Sequence, residues 1–306
     1  MSGVAVMGSI SADLTVFGSP LPRPGETVIA DSFSMVLGGK GANQALAAAR
    51  AGADVFMIGA VGDDLFRELT LSTLAAEGID VSAVETTDGH TGIAHIRVDS
   101  TTGQNDIAIV PNANHEITPD RAAQALRDLA GRVSVVLVQL ETPLPTVLRV
   151  AQACRELGLI LVLDPAPAAE LPVEVWQGVR VVTPNETEAE ALTGVVVSDR
   201  DSAQQSAQWF LDRGVETVVI TRGADGVVVA RADEVQEIPT FSVDAIDSTA
   251  AGDAFAGSLG ASLARGEEWT AAVRRAIAAG ALATTVRGAS PSLPTAAQVD
   301  QFLAER

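Results

Sequence analysis

Short, solidly apolar runs alternate along most of the chain with longer stretches in which apolar residues return every three or four positions. The first pattern marks strands buried on both faces, the second marks helices packed against them. Val4 to Gly8 and Ala53 to Ala60 read as such strands, and helices are expected over Gln44 to Ala51 and Asp64 to Glu77. From residue 118 the alternation is regular: helix 118–130, strand 133–139, helix 143–157, strands 159–163 and 179–182, helices 186–192 and 201–213, strand 215–220. A strand-like run, Phe241 to Ile246, then precedes an Ala/Leu-rich helical run at 254–264. Repeated β-α alternation of this kind predicts an α/β fold, a central parallel sheet covered by helices.

Two stretches break the rhythm. Residues 14–37 alternate loosely and contain Pro20, Pro22, Pro24 and Gly25. From Thr91 to Val110 the period is two, with Ile93, His95 and Arg97 alternating with their neighbours before a turn at Thr101 to Asn105. Together 12–37 and 89–112 predict one small β-sheet, inserted twice into a single α/β domain spanning 1–306 and placed beside a cleft as a lid. His90, His95 and His115 lie in or near it without the i, i+4 spacing of a helical metal site, and read as solvated or packed.

Composition narrows the partners. A chain of 306 residues, 47% hydrophobic, buries a substantial core. Its net charge of −19 argues against nucleic acid or an anionic membrane surface, which need a basic footprint. Any anionic ligand must then be held by local devices. Lys40 is the single lysine in an otherwise arginine-only set of cations, which suggests a role for it. The one cysteine, Cys154, rules out an internal disulfide and reads as an inert core thiol. No basic region precedes the first apolar run, and the runs at 133–140 and 157–163 are too short for a membrane span, so a cytoplasmic protein is expected.

Polar residues cluster where the apolar strands end. Glu141 follows Val135 to Leu140, Asp164-Pro165-Ala166-Pro167 follows Leu159 to Leu163, Thr183 to Glu188 follows Val179 to Val182, and Thr221 to Gly226 follows Val218 to Ile220. Open parallel sheets bind ligands at the carboxyl ends of their strands. Each group also has an ordinary structural reading. Glu141 suits a helix N-terminus, Asn185 and Glu188 fit a capping box, Thr221 to Gly226 fits a hairpin turn, and Thr285 to Ser292 fits a helix stop. Gly38-Gly39-Lys40-Gly41-Ala42-Asn43 opens a helix with glycines that let the backbone approach a ligand.

Asp247 to Gly257 is the centre of the pattern. Small residues crowd a turn before a helix, so the amides of Ala251, Gly252 and Asp253 are expected to point outward as an anion site. Asp253 is then the odd residue. A carboxylate there repels a bound phosphate unless it takes a proton from the group attacking that phosphate, which makes it a general base; the alternative is a first-turn acid favoured by the helix dipole.

In this order, Ser9 to Asp13, Gly38 to Asn43, Glu141, Asn185 to Glu188, Thr221 to Gly226, Asp247 to Gly257 and Gly288 to Ser292 resemble the PfkB carbohydrate kinases, most closely their ribokinase branch. The resemblance runs the whole chain. It implies a Rossmann-like α/β domain with a small β-sheet lid that also pairs two subunits into a homodimer. It implies ATP-dependent phosphorylation of the 5-hydroxyl of D-ribose, with 2-deoxyribose, another small sugar or nucleoside, or a silent sugar-binding relative as alternatives. Sugar hydroxyls would be held by Ser11, Asp13, Gly39, Lys40, Gly41, Asn43 and Glu141, with Asp253 as base and the amides of Ala250, Ala251, Gly252 and Asp253 holding developing charge. ATP would lie along Asn185, Thr221, Arg222, Gly223, Ala224, Asp225, Gly226, Gly252 and Ile277. Mg²⁺ would be organised through water by Asn185 and Glu188, and K⁺ held by Asp247, Thr249, Ala283, Val286, Gly288 and Ser292.

Two residues depart from the pattern. Ser11 stands where an asparagine contacting the sugar is usual, so a sugar contact is lost or replaced by water. Ile277 stands where a polar residue near the adenine is common. A dinucleotide oxidoreductase is disfavoured, because Gly8-Ser9-Ile10-Ser11 lacks Gly-x-Gly-x-x-Gly.

Overall fold

Alternate residues of the first strand, β1 (Gly3–Met7), feed two separate cores: Val4 and Val6 join one, Ala5 and Met7 the other. That is the arrangement of a strand buried on both faces. The computed structural model describes residues 2–306. In chain order the remaining strands are β2 (Ser11–Gly18), β3 (Ser32–Gly38), β4 (Val55–Gly62), β5 (Asp80–Thr87), β6 (Gly92–Asp99), β7 (Asn105–Val110), β8 (Val133–Val138), β9 (Ile160–Leu163), β10 (Val181–Val182), β11 (Thr217–Thr221), β12 (Val227–Arg231) and β13 (Glu234–Ile238). The large sheet has the order β13-β12-β11-β10-β9-β8-β1-β4-β5. Helices Lys40–Arg50, Ala251–Ala264 and Trp269–Ala283 pack on one face; Pro119–Asp128, Leu144–Leu157 and Arg200–Leu211 cover the other.

The expected all-parallel sheet is corrected at one edge. Strands β5 to β11 within it run parallel, but β12 and β13 are antiparallel, because the short turn after β11 is a hairpin and cannot make a crossover. Strand β5, not anticipated, adds to β4 at the other edge. Its half-buried residues lack the solid apolar run of an interior strand. The strand expected at Phe241 to Ile246 is absent. The segment leaves the sheet edge to reach the next helix, with no ladder partner; Phe241 packs edge-on against Phe302, ring centres 5.2 Å apart. Cys154 is fully buried, which pushes its thiol up to about 12. No helix of the described residues is long and apolar enough to cross a membrane.

A second sheet, order β3-β2-β6-β7, stands apart. β2 follows β1 with only Gly8 to Ile10 between them. Asn114 fixes this junction by accepting from the Ile10 amide at 2.8 Å and donating to the Ile10 carbonyl at 2.9 Å. Both sheets therefore meet at the segment that carries Ser9 and Ser11.

Helices Lys40–Arg50 and Ala251–Ala264 cross at Gly257, where a Cβ would lie 2.5 Å from the Ala47 side chain and 2.6 Å from the Gln44 carbonyl. Only hydrogen fits there. Gly257→Ala forces the helices apart, and overpacking of this kind costs about 1–3 kcal/mol. Chemical denaturation is expected to show a lower midpoint with an unchanged slope; an unchanged midpoint refutes the close crossing.

Candidate active site

The carboxyl ends of β1, β8, β9 and β10 and the entrances of helices Lys40–Arg50 and Ala251–Ala264 meet at one place. Close backbone approach makes this possible. Gly41 lies against Gly8 and Ser9, where a Cβ would come 2.5 Å from the Gly8 carbonyl carbon. Gly39, with φ 89°, occupies the left-handed region that favours glycine. The Ala42 amide donates to the Ser9 carbonyl at 2.9 Å, so the helix start is pinned to the turn after β1.

Asp253 sits in the first turn of its helix, 5% exposed. Its Oδ2 accepts from Asn43 Nδ2 at 3.2 Å and its Oδ1 from Gln44 Nε2 at 3.1 Å. Burial raises its pKa, against the opposing pull of the Lys40 ammonium and the two amide donors. Burial works against the Lys40 charge too, yet the carboxylates of Asp253, Asp164, Glu141 and Glu188 outweigh it and hold the ammonium above its ordinary value. Asp13 is pushed up to about 6 by burial, opposed by a 3.1 Å hydrogen bond from Ser11 Oγ and reinforced by the charges of Glu141 and Asp253. Glu141 accepts from Ser9 Oγ at 2.5 Å and from the Lys40 amide at 3.0 Å. Thus Ser11, Asp13, Lys40, Asn43, Glu141 and Asp253 are brought into one cluster. Asn43 Oδ1 in that cluster is a buried acceptor with no partner among the described residues.

At the helix entrance Ala250 takes a left-handed conformation, φ 61°. The helix begins at Ala251, three residues before the expected run. The outward amides are fewer than expected, because the Ala251 amide donates to the Ser248 carbonyl at 3.2 Å. Those of Gly252 and Asp253 find no backbone acceptor among the described residues, and nothing lies within 4 Å of where a Gly252 Cβ would stand. An anion can approach here.

Asn185 and Glu188 form a capping box: the Glu188 amide donates to Asn185 Oδ1 at 2.8 Å and the Asn185 amide to Glu188 Oε2 at 2.9 Å. Glu188 still faces the cluster, for its charge acts on both Lys40 and Asp164. The donor set, one amide and one carboxylate with an oxygen outside the box, fits a cation that keeps its own water. Asn185 pairs with Thr221 across a parallel bridge, so the turn Thr221 to Gly226 adjoins it. Gly223, Ala224 and Asp225 are exposed. The Arg222 side chain points away into the hairpin, bonding Glu237 at 2.6 Å. Ile277 is 4% exposed in the core and offers little surface to a ligand.

Further along, Asp247 Oδ1 accepts from the amide and hydroxyl of Thr249 at 2.9 and 2.6 Å, and Oδ2 from the Gly288 amide at 2.9 Å. Burial opposes its charge, but these donors prevail and hold the carboxyl below its ordinary value. They tie the turn before Ala250 to the loop of Val286, Gly288 and Ser292 that follows Ala283.

Sequence reasoning missed three residues of the cluster. Gln44, Gln139 and Asp164 are 0%, 0% and 7% exposed, and all three are hydrogen-bonded to one another or to Asp253. Gln139 had a signal, a lone amide closing the apolar run of β8; Asp164 was visible at a strand end without a partner; Gln44 looked like any helix residue.

The profile of the pfkB family of carbohydrate kinases matches residues 1–296. The chain is 40% identical over 301 residues to a ribokinase of Haemophilus influenzae, covering 98% of each. It is 34% identical over 302 residues to a deoxyribokinase of Salmonella typhi, again covering 98% of each. The crystal structure of Arabidopsis thaliana ribokinase complexed with ribose and ATP superposes with a TM-score of 0.91 at 30% identity, covering 99% of each chain. The buried acid beside an open helix entrance is thus set in a relationship spanning the whole length, and the chain belongs to the pfkB family of carbohydrate kinases.

Proposed function

We propose that this protein is an ATP-dependent sugar kinase that phosphorylates the 5-hydroxyl of D-ribose, giving ribose 5-phosphate and ADP. The observation that carries the reading is Asp253, a buried carboxylate with raised basicity placed beside the open amides of Gly252 and Asp253. Full-length similarity to ribokinases supports ATP and ribose as substrates. The sugar lies between the two sheets, its hydroxyls against Asp13, Lys40, Glu141, the backbone at Gly39 to Gly41, and the unpartnered Asn43 Oδ1, which needs a donor. The 5-oxygen forms a bond to the γ-phosphorus, its proton passes to the Asp253 carboxylate, and the bond from the γ-phosphorus to the bridging oxygen breaks with its electrons leaving on ADP. The Gly252 and Asp253 amides and Lys40 offset the charge on the transferring group.

ATP lies along Asn185 and the turn Thr221 to Gly226, with Arg222 contributing through its backbone. Asn185 and Glu188 would hold Mg²⁺ through water, and the ion would supply charge neutralisation. Asp247, Thr249, Ala283, Val286, Gly288 and Ser292 would hold K⁺, whose charge would support the turn before Ala250. Residues 12–37 and 89–112 act as a lid on a single domain. Cross-strand register puts Ile109 in one row with Asp13. On that face Ile107 and Ile109 leave 54 and 60% of their surface exposed, and on the opposite face Phe33 and Met35 leave 60 and 43%, apolar surface that supports pairing of two lids in a homodimer.

A second reading has a specific observation behind it. Ser11 is bonded to Asp13 and is shorter than the asparagine usual at its position, and deoxyribokinases are among the relatives, so 2-deoxyribose is the competing substrate.

Assay of ADP release over ribose, 2-deoxyribose, arabinose, fructose, 2-keto-3-deoxygluconate and adenosine is expected to favour ribose. Asp253→Asn should lose roughly 10²–10⁴-fold in kcat while still binding sugar. Wild-type turnover in that variant refutes the mechanism, and preference for 2-deoxyribose moves the assignment to the second reading. Ionised Asp13 accepts hydrogen bonds from sugar hydroxyls through both oxygens, whereas protonation turns one oxygen into a donor, and burial pushes this carboxyl up to about 6. Sugar affinity measured calorimetrically without nucleotide should therefore hold above that pH and weaken below it; a flat profile from pH 8 to 5 removes Asp13 from the sugar. Replacing K⁺ with tetramethylammonium should lower kcat, and light scattering should give twice the chain mass; equal rates or a monomer would retire the respective assignment.

A further inference from the structure

One buried carboxylate has no task in the mechanism above. Asp164 follows β9, and its Oδ2 accepts from Gln44 Nε2 at 2.8 Å, the same nitrogen that donates to Asp253 Oδ1 at 3.1 Å. A primary amide nitrogen has two hydrogens, and here each serves one carboxylate. The orientation of the amide is set from behind, because Gln139 Nε2 donates to Gln44 Oε1 at 2.5 Å. Reversing the Gln44 amide would set its oxygen against two carboxylates and its nitrogen against a donor. The chain Gln139, Gln44, Asp164 and Asp253 therefore has one satisfactory arrangement, made from four elements that lie far apart in sequence.

We propose that Asp164 is a positioning residue for the proton acceptor: through the shared Gln44 amide it fixes the carboxylate of Asp253. The inference rests on Asp253 being the base. Asp164 is faced by Lys40, Asp253 and Glu188, and Asp253 by Lys40 and Glu141 in addition to its amide donors. One ammonium thus serves several carboxylates in a dry site. Burial, reinforced by Asp253 and Glu188 and opposed by Lys40, brings Asp164 up to about 7, so its charge changes within the working range of pH. The signs follow. A like charge disfavours ionisation of Asp253, so Asp164→Asn lets Asp253 ionise at lower pH and makes it a weaker base. The Gln44 donor favours ionised Asp253, so Gln44→Met moves ionisation to higher pH.

The test is kcat, sugar KM and the kcat–pH profile with Mg-ATP for the wild type, Asp164→Asn, Gln44→Met, the double variant and Asp253→Asn, with thermal unfolding to establish that each is folded. Asp164→Asn is expected to lower kcat on the order of tenfold and change sugar KM by less than about twofold, since an interaction made only as the proton moves is lost. Its acid limb should move down and that of Gln44→Met up, each by on the order of half to one pH unit. In the Gln44→Met background the further loss from Asp164→Asn should be under about threefold, because the two act as one unit. Unchanged kcat and limb in Asp164→Asn overturn the proposal, as does an equal loss with and without Gln44. Where Asp164→Asn does not fold, the upward shift in Gln44→Met decides, and its absence overturns the proposal. Wild-type turnover in Asp253→Asn is a separate outcome, in which the base assignment itself fails.

Discussion

A single ammonium stands among buried and half-buried carboxylates, and the site depends on that imbalance. Lys40 feels Asp253, Asp164, Glu141 and Glu188 at once, and their combined attraction exceeds the penalty of its own burial. An isolated carboxylate in such a place would take up a proton. Sharing one cation among several lets some remain ionised while leaving others close to neutrality. Burial raises Asp13 and Asp164 first of all, and neighbouring carboxylates add to it. Amides supply the remainder: Asn43 and Gln44 donate to Asp253, and the Lys40 backbone donates to Glu141. Neutral donors stabilise a carboxylate without removing its basicity as fully as a guanidinium contact would. This is why the carboxylates of the site are met by one lysine cation and several neutral amides, although arginine does every other cationic task in the chain.

Such a cluster requires backbones to approach more closely than side chains usually permit. Gly41 against Gly8 and Gly257 against the Lys40–Arg50 helix remove the Cβ atoms at two close crossings. With those contacts made, Lys40, Asn43 and Gln44 come from one helix and Asp253 from another, yet all share hydrogen bonds or charge. The sequence pattern of glycines and the electrostatics of the site are therefore two views of one constraint. The helix pair must touch for the carboxylate to be held.

What could be read in advance follows the same division between local and long-range causes. Apolar runs of five to eight residues are set by burial on both faces, so β1, β4 and β8 were legible. Edge strand β5 was not, because none of its residues is fully buried and its sequence has no solid apolar run. Phe241 to Ile246 has the side-chain pattern of a strand, but a strand needs a neighbour to pair with, and no local signal records whether one exists. Asn185 and Glu188 illustrate the opposite case, in which two readings were both physical: the capping box is present, and the same glutamate still acts on Lys40. Asp253 was legible because a carboxylate in a turn shaped to receive a phosphate repels that phosphate unless it has a task there. Gln44 and Gln139 are uncharged and fit their helix and strand well enough, so only the folded arrangement reveals that each has a single partner geometry.

A chain with net charge −19 that takes a polyphosphate faces a long-range repulsion, and the geometry bears on how that is met. Fixed dipoles act at short range and do not alter the overall field. The amides of Gly252 and Asp253 can therefore attract a phosphate oxygen locally while the surface stays acidic. Ala250 in its left-handed conformation turns the chain so that those amides face outward, and Asp247, bonded to Thr249 and Gly288, holds the turn from the other side. A phosphate-bound divalent cation reduces the repulsion further by cancelling charge on the ligand itself. Under the proposed function the acidic Glu188 would repel bare nucleotide and attract its metal complex.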